Sequence, residues 1–314
     1  MNVRSMRFVA EASALRGMVF LARHLPRRAL LSLGSGFGAL WYLLDARHRR
    51  VALGNLGTAF GPALNRNDAR RIVRNCWRHY GRTLFDVLAF DRFSAASVGT
   101  LVQYEGLEHI RAAYARGKGV VLFSAHYGHW ELTALMQGYL GIPLTMVTRP
   151  LDNPALEGEL ARLRGRSGNA ILHRRNAVRE MLKTLRRGGG IAILIDQDAH
   201  GGGVFVPFFG RASSTTPTLA TLALRTGAAV IPTFSIPLGN GTYRVIYERE
   251  VEIRDTGDRD ADVIRITAEC TAIIERWVRR HPELWLWMHR RWKTPPPENG
   301  EREEHAATSH LHGS

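Results

Sequence analysis

Short apolar runs alternate with helix-like segments between residues 120 and 234 of this chain. The apolar runs predict buried strands, and the segments between them carry apolar residues at helical spacing. Strands that alternate with helices favour a parallel sheet that is covered on both faces. We therefore predict an α/β fold with a mostly parallel central sheet flanked by helices. The predicted strands are 101–105, 120–123, 144–147, 170–172, 191–195, 228–234 and 243–246, and the predicted helices are 67–90, 107–116, 129–140, 154–166, 177–187, 218–225 and 262–280.

A histidine and a glutamate flank the turn that follows the strand predicted at 120–123. His126 lies at the carboxyl end of that strand, and Glu131 lies in the first turn of the next helix. Ligands of open α/β sheets bind at the carboxyl ends of strands, so His126 is placed to act as a base that Glu131 orients. The same two residues also suit a capped turn in which Glu131 complements the helix dipole. From this stretch alone, both interpretations stay open.

A second loop with polar residues follows the strand predicted at 144–147. Arg149 in this loop is suited to hold a phosphate or to stabilise a developing oxyanion. Its other interpretation is a loop arginine that pairs with Asp152. We favour a functional role for Arg149 because the predicted sheet edge is the one that carries His126.

A third loop follows the strand predicted at 191–195. Asp196 and Asp198 are candidates to bind a cation, to orient Arg149 or to cap a helix. Glycines 201–203 are contiguous and no suitably spaced helix follows them, so they are not a nucleotide-binding fingerprint. The apolar run 204–209 suits either an acyl-chain cavity or ordinary core packing.

A fourth segment, 285–293, interleaves aromatic and basic residues. This pattern suits a membrane interface or a phosphosugar, and it also occurs in grooves that bind single-stranded nucleic acid. Arg290 and Arg291 are the candidate anion ligands within it.

The formal net charge of +15 indicates an anionic partner, such as a membrane surface, a phosphorylated lipid, an acidic protein or nucleic acid. Of 43 basic residues only Lys118, Lys183 and Lys293 are lysines. Arginine suits bidentate recognition of phosphate, although genome composition produces the same bias.

The first fifty residues hold nine arginines and an uncharged stretch at 29–44. A helix that spans the hydrocarbon core needs roughly 20 apolar residues, so this stretch is marginal for a span. We predict a helix that lies in the membrane interface, or a hairpin with 8–24, and the alternative is an ordinary core helix. The predicted organisation is a membrane-associated helical segment at 1–50, a catalytic domain at 51–297 and a disordered tail at 298–314.

Two rival functions draw on the same residues. A metal-dependent hydrolase would use His126 and His129 with ligands from Asp196, Asp198 and His200, but the chain has no H-E-x-x-H pattern. A non-catalytic membrane or nucleic-acid binder would leave the His126 and Glu131 pair unexplained. The two cysteines, at positions 76 and 270, have neither metal nor disulfide spacing and are predicted to be buried free thiols.

The ordered set of motifs resembles the lipid A biosynthesis acyltransferases, the lauroyl and myristoyl transferases of lipopolysaccharide assembly, within the wider group that carries an H-x4-D/E box. The resemblance covers most of the chain between about 45 and 296, and one departure is His129, where this family commonly has Asn. The segments that carry it are Asn55–Phe60, the box at His126–Glu131, Arg149-Pro with Asn153-Pro, Asp196-Gln197, Gly203–Gly210 and Pro282–Lys293.

This resemblance implies transfer of a fatty acyl group from acyl carrier protein to a hydroxyl of a lipid A precursor. The reaction would take place at the cytoplasmic face of the inner membrane, with His126 as general base and Glu131 as its orienting carboxylate. Similar boxes in phosphatidylinositol mannoside and glycerolipid acyltransferases leave open another lipid acceptor, such as a lysophospholipid, and a coenzyme A donor. The substrate-binding residues that it implies are Arg149, Asn153, Asp196, Gln197, Arg290 and Arg291.

The resemblance also sets the expected partners. They are the membrane, an anionic glycolipid and acyl carrier protein, and we expect no nucleic-acid partner. No protein nucleophile is needed, because the acceptor hydroxyl itself attacks the thioester. We expect no metal and no cofactor beyond the thioester co-substrate.

Overall fold

The computed structural model describes residues 3–148, 150–173 and 177–297. Arg149 and the tail predicted at 298–314 lie outside these residues. The described strands are β1 (Val102–Glu105), β2 (Val120–Ser124), β3 (Leu144–Thr148), β4 (Ala170–His173), β5 (Gly190–Leu194), β6 (Val204–Phe208), β7 (Arg211–Thr215), β8 (Ala229–Gly239) and β9 (Thr242–Tyr247). The described helices are α1 (Val3–His24), α2 (Arg27–Leu44), α3 (Ala46–Phe60), α4 (Arg66–Leu88), α5 (Val98–Leu101), α6 (Leu107–Ala115), α7 (Trp130–Tyr139), α8 (Pro154–Gly165), α9 (Ala177–Arg186), α10 (Thr218–Thr226) and α11 (Arg259–Arg280).

Seven strands form the central sheet in the order β1-β9-β8-β2-β5-β3-β4. All neighbouring pairs are parallel except the hairpin of β8 and β9. The mixed α/β class with a mostly parallel sheet is therefore confirmed. Because β2, β5 and β3 are parallel neighbours, the loops after them meet at one edge of the sheet.

The two faces of the sheet carry separate apolar cores, because successive residues of a strand point to opposite sides. On β2, Val121 and Phe123 pack into a core with α4, α9, α10 and α11. Val120 and Leu122 pack on the other face with α6, α7 and α8. Both faces are covered, which explains the near-continuous apolar character of this strand.

The two N-terminal helices pack against α4. Glycines of α2 allow a close crossing, since a Cβ atom at Gly38 would overlap the carbonyl oxygen of Trp77. A small apolar cluster that includes Val19, Leu30 and Leu88 joins α1, α2 and α4. The outward faces of α1 and α2 expose large apolar side chains, including Phe20 and Leu44 at 61% and 75% exposure.

Across the described ranges, no single helix is both long and apolar enough to cross a bilayer. By length and composition, α2 meets the requirement only together with the helical stretch Ala46–Ala63, and the two are bent by 91°.

Candidate active site

His126 and Asp196 meet at the carboxyl edge of the sheet. Each follows the end of its strand by two residues, and β2 and β5 are adjacent and parallel. The imidazole Nδ1 of His126 lies 2.9 Å from Oδ1 of Asp196, and the backbone N–H of His126 donates to Oδ2 at 2.9 Å. Since the carboxylate accepts from Nδ1–H, the neutral imidazole leaves Nε2 unprotonated.

The two groups shift each other's pKa in opposite directions. Burial disfavours the charged imidazolium, but the neighbouring Asp196 carboxylate outweighs this effect and raises the pKa of His126. Burial also disfavours the carboxylate, and the attraction of His126 outweighs it, so the pKa of Asp196 lies well below its usual range. The pair is therefore built to hold a negative carboxylate beside a proton-accepting histidine.

The segment after α11 completes the surroundings of Asp196. The indole N–H of Trp285 donates to Oδ2 of Asp196 at 2.8 Å, and the His289 ring contacts the Asp196 carbonyl oxygen at 3.1 Å. Asp196 is buried, with three donors on its carboxylate. These bonds fix its orientation and hence that of His126.

Glu131 does not orient His126, which corrects the expected role of this residue. Its carboxylate pairs with the guanidinium of Arg164 on α8 through two hydrogen bonds, one of them from Nε at 2.8 Å. Glu131 is near enough to contribute to the raised pKa of His126 through its charge. The carboxylate that is hydrogen-bonded to His126 belongs to Asp196, 70 residues further along the chain.

The loop that carries His126 is held by hydrogen bonds from α4 and from the segment after α11. The Tyr80 hydroxyl donates to the carbonyl oxygen of His126, which also accepts from the Leu286 N–H at 3.0 Å. His79 Nε2 lies 2.9 Å from the carbonyl oxygen of Gly128, and burial lowers the pKa of His79 to about 4. His79 is therefore neutral, and its N–H donates to the loop.

Gly128 is required where the loop turns into α7. Its φ is +58°, and a Cβ atom there would overlap the carbonyl oxygen of Ser235. The next amide, that of His129, donates to Oγ of Ser235 at 2.8 Å. The sharp turn brings the start of α7 against β8.

His129 has a structural role in a buried charge network. Its Nδ1 accepts from the N–H of Leu132 at 3.1 Å and so caps α7. Its Nε2, which therefore carries the proton, lies 3.3 Å from Oδ2 of Asp86, and Asp86 also pairs with Arg27 on α2. His129 is fully buried. It is unavailable as the metal ligand that the hydrolase interpretation requires.

A cavity of about 810 Å³ opens beside His126 and Glu131. Arg164 lines it as well, and apolar side chains form much of the remaining wall. Cavities of this size hold drug-sized ligands. The carboxyl edge of the sheet therefore joins a basic histidine, an ion pair and an apolar cavity.

Two of the predicted substrate ligands are committed to other contacts. The side chain of Asn153 caps α8 through the Ala155 N–H at 3.0 Å and donates to Glu11 of α1 at 3.0 Å. Arg291 is fully buried and donates to Ser214 O at 2.6 Å and to Ser213 Oγ at 3.0 Å. The prediction that Arg291 is an anion ligand is therefore wrong for this structure, because no anion reaches a guanidinium enclosed on all sides.

The other predicted ligands are placed differently. Gln197 is exposed and lines the cavity, as does Asp198, whose carboxylate accepts from Thr294 Oγ1 at 2.9 Å. Arg290 is exposed, and no described residue pairs with it. The apolar run at 204–209 forms part of a hairpin whose buried side chains pack in the core instead of lining the cavity.

The residues named for the hydrolase interpretation do not form a metal site. In ranges 3–148, 150–173 and 177–297, no group of three or more His, Cys, Asp or Glu side chains is placed to hold a metal ion. Cys76 and Cys270 are buried free thiols, as predicted, and burial raises the pKa of Cys76 to about 12.

Arg164, Tyr80 and His79 are site residues that sequence reasoning missed. In the sequence, Tyr80 is one residue within the helix predicted at 67–90, and Arg164 is one of many arginines. A signal existed only for Tyr80, whose hydroxyl interrupts the apolar series Ile72, Cys76, Leu84 and Leu88 at helical spacing.

The chain is similar to known bacterial acyltransferases. The family model of the bacterial lipid A biosynthesis acyltransferases matches residues 4–294. The chain is 28% identical to the lipid A biosynthesis palmitoleoyltransferase of Escherichia coli (strain K12) over 283 residues, which is 89% of this chain and 90% of that protein. It is also 28% identical to the lauroyltransferase of the same organism over 285 residues, with 89% and 90% covered.

A lipid A biosynthesis acyltransferase of Haemophilus influenzae is 30% identical over 280 residues, 87% of each chain. The family model spans nearly the whole described chain, from α1 to the segment that contacts Asp196. These matches confirm the resemblance and the assignment as an acyltransferase. The chain belongs to the bacterial lipid A biosynthesis acyltransferase family.

Proposed function

We propose that this protein transfers a fatty acyl group from an acyl carrier protein thioester to a hydroxyl of a lipid A precursor. One observation carries the mechanism: the His126 and Asp196 pair opens onto the 810 Å³ cavity of a chain from this acyltransferase family. The donor, the catalytic roles and the membrane location are parts of this proposal.

His126 acts as the general base. Its Nε2 takes the proton from the acceptor hydroxyl while the hydroxyl oxygen attacks the carbonyl carbon of the thioester. The tetrahedral intermediate then expels the thiolate, the C–S bond breaks, and the imidazolium returns its proton to the sulfur. Asp196 stabilises the imidazolium between these two steps, as the acid does in a catalytic triad.

Glu131 and Arg164 provide charge beside the reacting atoms. The Glu131 carboxylate favours the imidazolium through space. Arg164, held by Glu131, lines the cavity with a fixed positive charge that suits the oxyanion or a phosphate of the acceptor. Arg149 is proposed for the same anion-binding role, on its position in the chain after β3 alone.

The outer faces of α1 and α2 are proposed to lie in the membrane interface. Leu33, Phe37, Leu40 and Leu44 recur on one side of α2 and are all more than 40% exposed. Arg47 and Arg50 follow at the exposed start of α3, where they suit anionic headgroups. The acceptor lipid would then reach the cavity from the cytoplasmic face of the inner membrane.

The excess of basic residues supports two anionic partners, the phosphorylated acceptor and the acidic carrier protein. Arg290, in the segment after α11, and Gln197, in the loop after β5, are both exposed. We propose that they contact the acceptor or the carrier protein. Coenzyme A as donor and another glycolipid as acceptor are the nearest alternatives.

The experiment is an assay of the purified protein with two donors and two acceptors. We expect mass spectrometry to show one added acyl chain on the lipid A precursor with acyl carrier protein as donor. Acylation of a phosphatidylinositol mannoside or a lysophospholipid in preference to the lipid A precursor would refute the acceptor. A faster reaction with acyl coenzyme A would refute the donor.

A further inference from the structure

One arm of the cavity runs from the active site along the face of the sheet that α7 covers. In a unit of strand, helix and parallel strand, such as β2, α7 and β3, the helix runs antiparallel to the strand that precedes it. Glu131, Ala134 and Gln137 succeed one another along α7 and all line the cavity. Six helical residues rise about 9 Å, so Gln137 lies that far from the catalytic edge.

Strand residues that lie far from the catalytic edge also line the cavity. Leu122 and Ala192 are paired across β2 and β5, and both line the cavity. Leu144, the first residue of β3, also lines it, whereas the loop after Thr148 is at the catalytic edge; four strand residues span about 13 Å. Gln137 and Leu144 are thus the innermost described residues of an arm that is otherwise mostly apolar, with Thr133 one turn before Gln137. We call this the inner arm, and it is lined by Leu122, Ala134, Gln137, Leu144, Leu160 and Ala192.

Gln137 is a polar residue at the end of this apolar arm. Its side chain is 1% exposed, and its Oε1 accepts a hydrogen bond from the hydroxyl of Tyr247 on β9. Its Nε2 has no hydrogen-bond partner within the described residues. A buried amide that is held at one end and unpaired at the other is costly, so packing alone does not explain its presence.

We propose that Gln137 is the residue at which the transferred acyl chain ends, and that it determines the chain length. The inference rests on the proposed function, because it identifies the inner arm as the site of the donor's acyl chain. The hydrogen bond from Tyr247 fixes the Gln137 side chain across the arm. A longer chain would have to displace this bond and leave two more buried polar groups unpaired, which disfavours its binding.

The test compares Gln137→Ala with the wild-type protein on acyl carrier protein donors whose saturated chains differ by two methylenes. Truncation opens space at the end of the arm, so the preferred chain becomes longer. The quantity compared is the ratio of kcat/KM for the longer donor to kcat/KM for the donor that the wild type prefers. We expect this ratio to be about tenfold or more higher in Gln137→Ala than in the wild type, since one methylene in an apolar pocket is discriminated by that factor. An active Gln137→Ala protein with the wild-type preference would overturn the proposal.

Two further variants make the test specific. Gln137→Leu keeps the side-chain volume but removes the hydrogen bond from Tyr247 that a longer chain has to displace, so the preference should shift toward the longer donor by less than in Gln137→Ala. A shift toward shorter chains, or one larger than that of Gln137→Ala, would contradict the proposal. Ala134→Leu narrows the arm halfway along and should shift the preference toward shorter chains, which also tests the arm if Gln137→Ala does not fold. An active Ala134→Leu protein with unchanged preference would count against it.

Gln103→Ala is the matched control, because Gln103 is an exposed glutamine on β1, and its preference should equal that of the wild type. The assay separates failure of the proposed function from failure of the role of Gln137. Wild-type protein that transfers no acyl chain from any donor contradicts the proposed function. Normal transfer with an unchanged chain-length preference in both Gln137→Ala and Ala134→Leu contradicts only the role of Gln137.

Discussion

Asp196 determines the protonation of His126 because it is buried, charged and hydrogen-bonded to both the ring and the backbone of that residue. A carboxylate in this position fixes one tautomer and, in the proposed mechanism, stabilises the imidazolium that forms during attack. The opposing cost is the burial of a charge, which Trp285 and the backbone amide of His126 offset with hydrogen bonds.

Asp196→Asn should lower kcat/KM and move its pH dependence. The base form of His126 exists only above its pKa, which Asp196 raises, so activity rises with pH through that raised pKa. Removing the charge lowers the pKa, and the acid limb therefore moves to lower pH, while the rate falls roughly 10²–10⁴-fold. The measurement is a pH profile of kcat/KM.

Asp198→Asn is the matched control for that profile, since Asp198 bonds to Thr294 and not to His126. Its acid limb should stay at the wild-type position. An acid limb that is unmoved in Asp196→Asn would show that Asp196 does not set the pKa of the catalytic base.

The residues of this site were predictable in part from the sequence. His126 and Asp196 follow predicted parallel strands, so their shared edge could be deduced from the alternation of strands and helices. The assignment of Glu131 as the orienting carboxylate failed because sequence proximity does not show where a side chain points. Arg164, which holds Glu131, comes from a helix 33 residues away, and no local pattern links the two.

Helices α2 and α4 cross closely enough for the backbone of one to contact the backbone of the other. Gly34 and Gly38 of α2 face Gly81 and Trp77 of α4, and any Cβ atom there would overlap the neighbouring main chain. Gly36, between them, faces open space. The contact orients α2, whose Arg27 reaches the Asp86 and His129 pair beneath the site.

Gly38→Ala should destabilise the protein, whereas Gly36→Ala should not. The added methyl at position 38 forces the two helices apart, and overpacking of this kind costs about 1–3 kcal/mol of the free energy of unfolding. At position 36 alanine is the better helix former and stabilises by up to about 1 kcal/mol. Urea unfolding of both variants measures the difference, and equal stabilities would refute the close crossing.

Arg291 joins the hairpin of β6 and β7 to the loop after β5. Burial lowers the pKa of its guanidinium to about 10, so it stays charged near neutral pH while it donates to Ser213 and Ser214. Its neighbour Arg290 is exposed. The two arginines therefore differ in function although they are adjacent in sequence.

Arg291→Ala should lower the free energy of unfolding by about 3 kcal/mol, because it leaves a void and several unpaired acceptors. Arg290→Ala should leave stability unchanged and is the control. Thermal or urea unfolding provides the measurement. A stable Arg291→Ala protein with weakened acceptor binding would instead restore Arg291 as an anion ligand.

The hairpin that Arg291 holds was not predicted as an element. Phe209 and Gly210 at its turn both have positive φ, at 52° and 71°. Hairpin turns of this type favour Asn-Gly or Asp-Gly, so Phe-Gly gives no recognisable signal. Tertiary contacts hold the strained residue, since its N–H donates to Glu275 Oε2 at 2.6 Å and Arg279 lies over its ring. The strands and helices with regular periodicity were predicted well, because burial and periodicity coincide there.

For the whole molecule, apolar and basic surfaces coincide near the N-terminus. Large apolar side chains cover the outer faces of α1 and α2, and basic residues follow on α3. Apolar insertion and attraction to anionic lipid add together in interfacial binding. This arrangement supports the proposal that the protein lies on a membrane that supplies its acceptor.

A Leu40→Asp, Leu44→Asp double variant should therefore bind vesicles with anionic lipid about tenfold more weakly or worse, because two exposed leucines no longer insert. Ile264→Asp on α11 is the control, since Ile264 has a comparable exposure of 46% far from α2 in sequence. Vesicle co-sedimentation gives the affinities. Equal binding by the double variant and the wild type would contradict the proposed interface.

In the proposed mechanism, His126 activates the hydroxyl of the acceptor lipid. The most direct test measures kcat for acyl transfer to a lipid A precursor by wild-type protein, His126→Ala and the surface control His48→Ala, with circular dichroism to confirm folding. We predict that His126→Ala remains folded and loses activity about 10³-fold, while His48→Ala keeps wild-type activity. A folded His126→Ala protein with near-normal turnover would contradict the account.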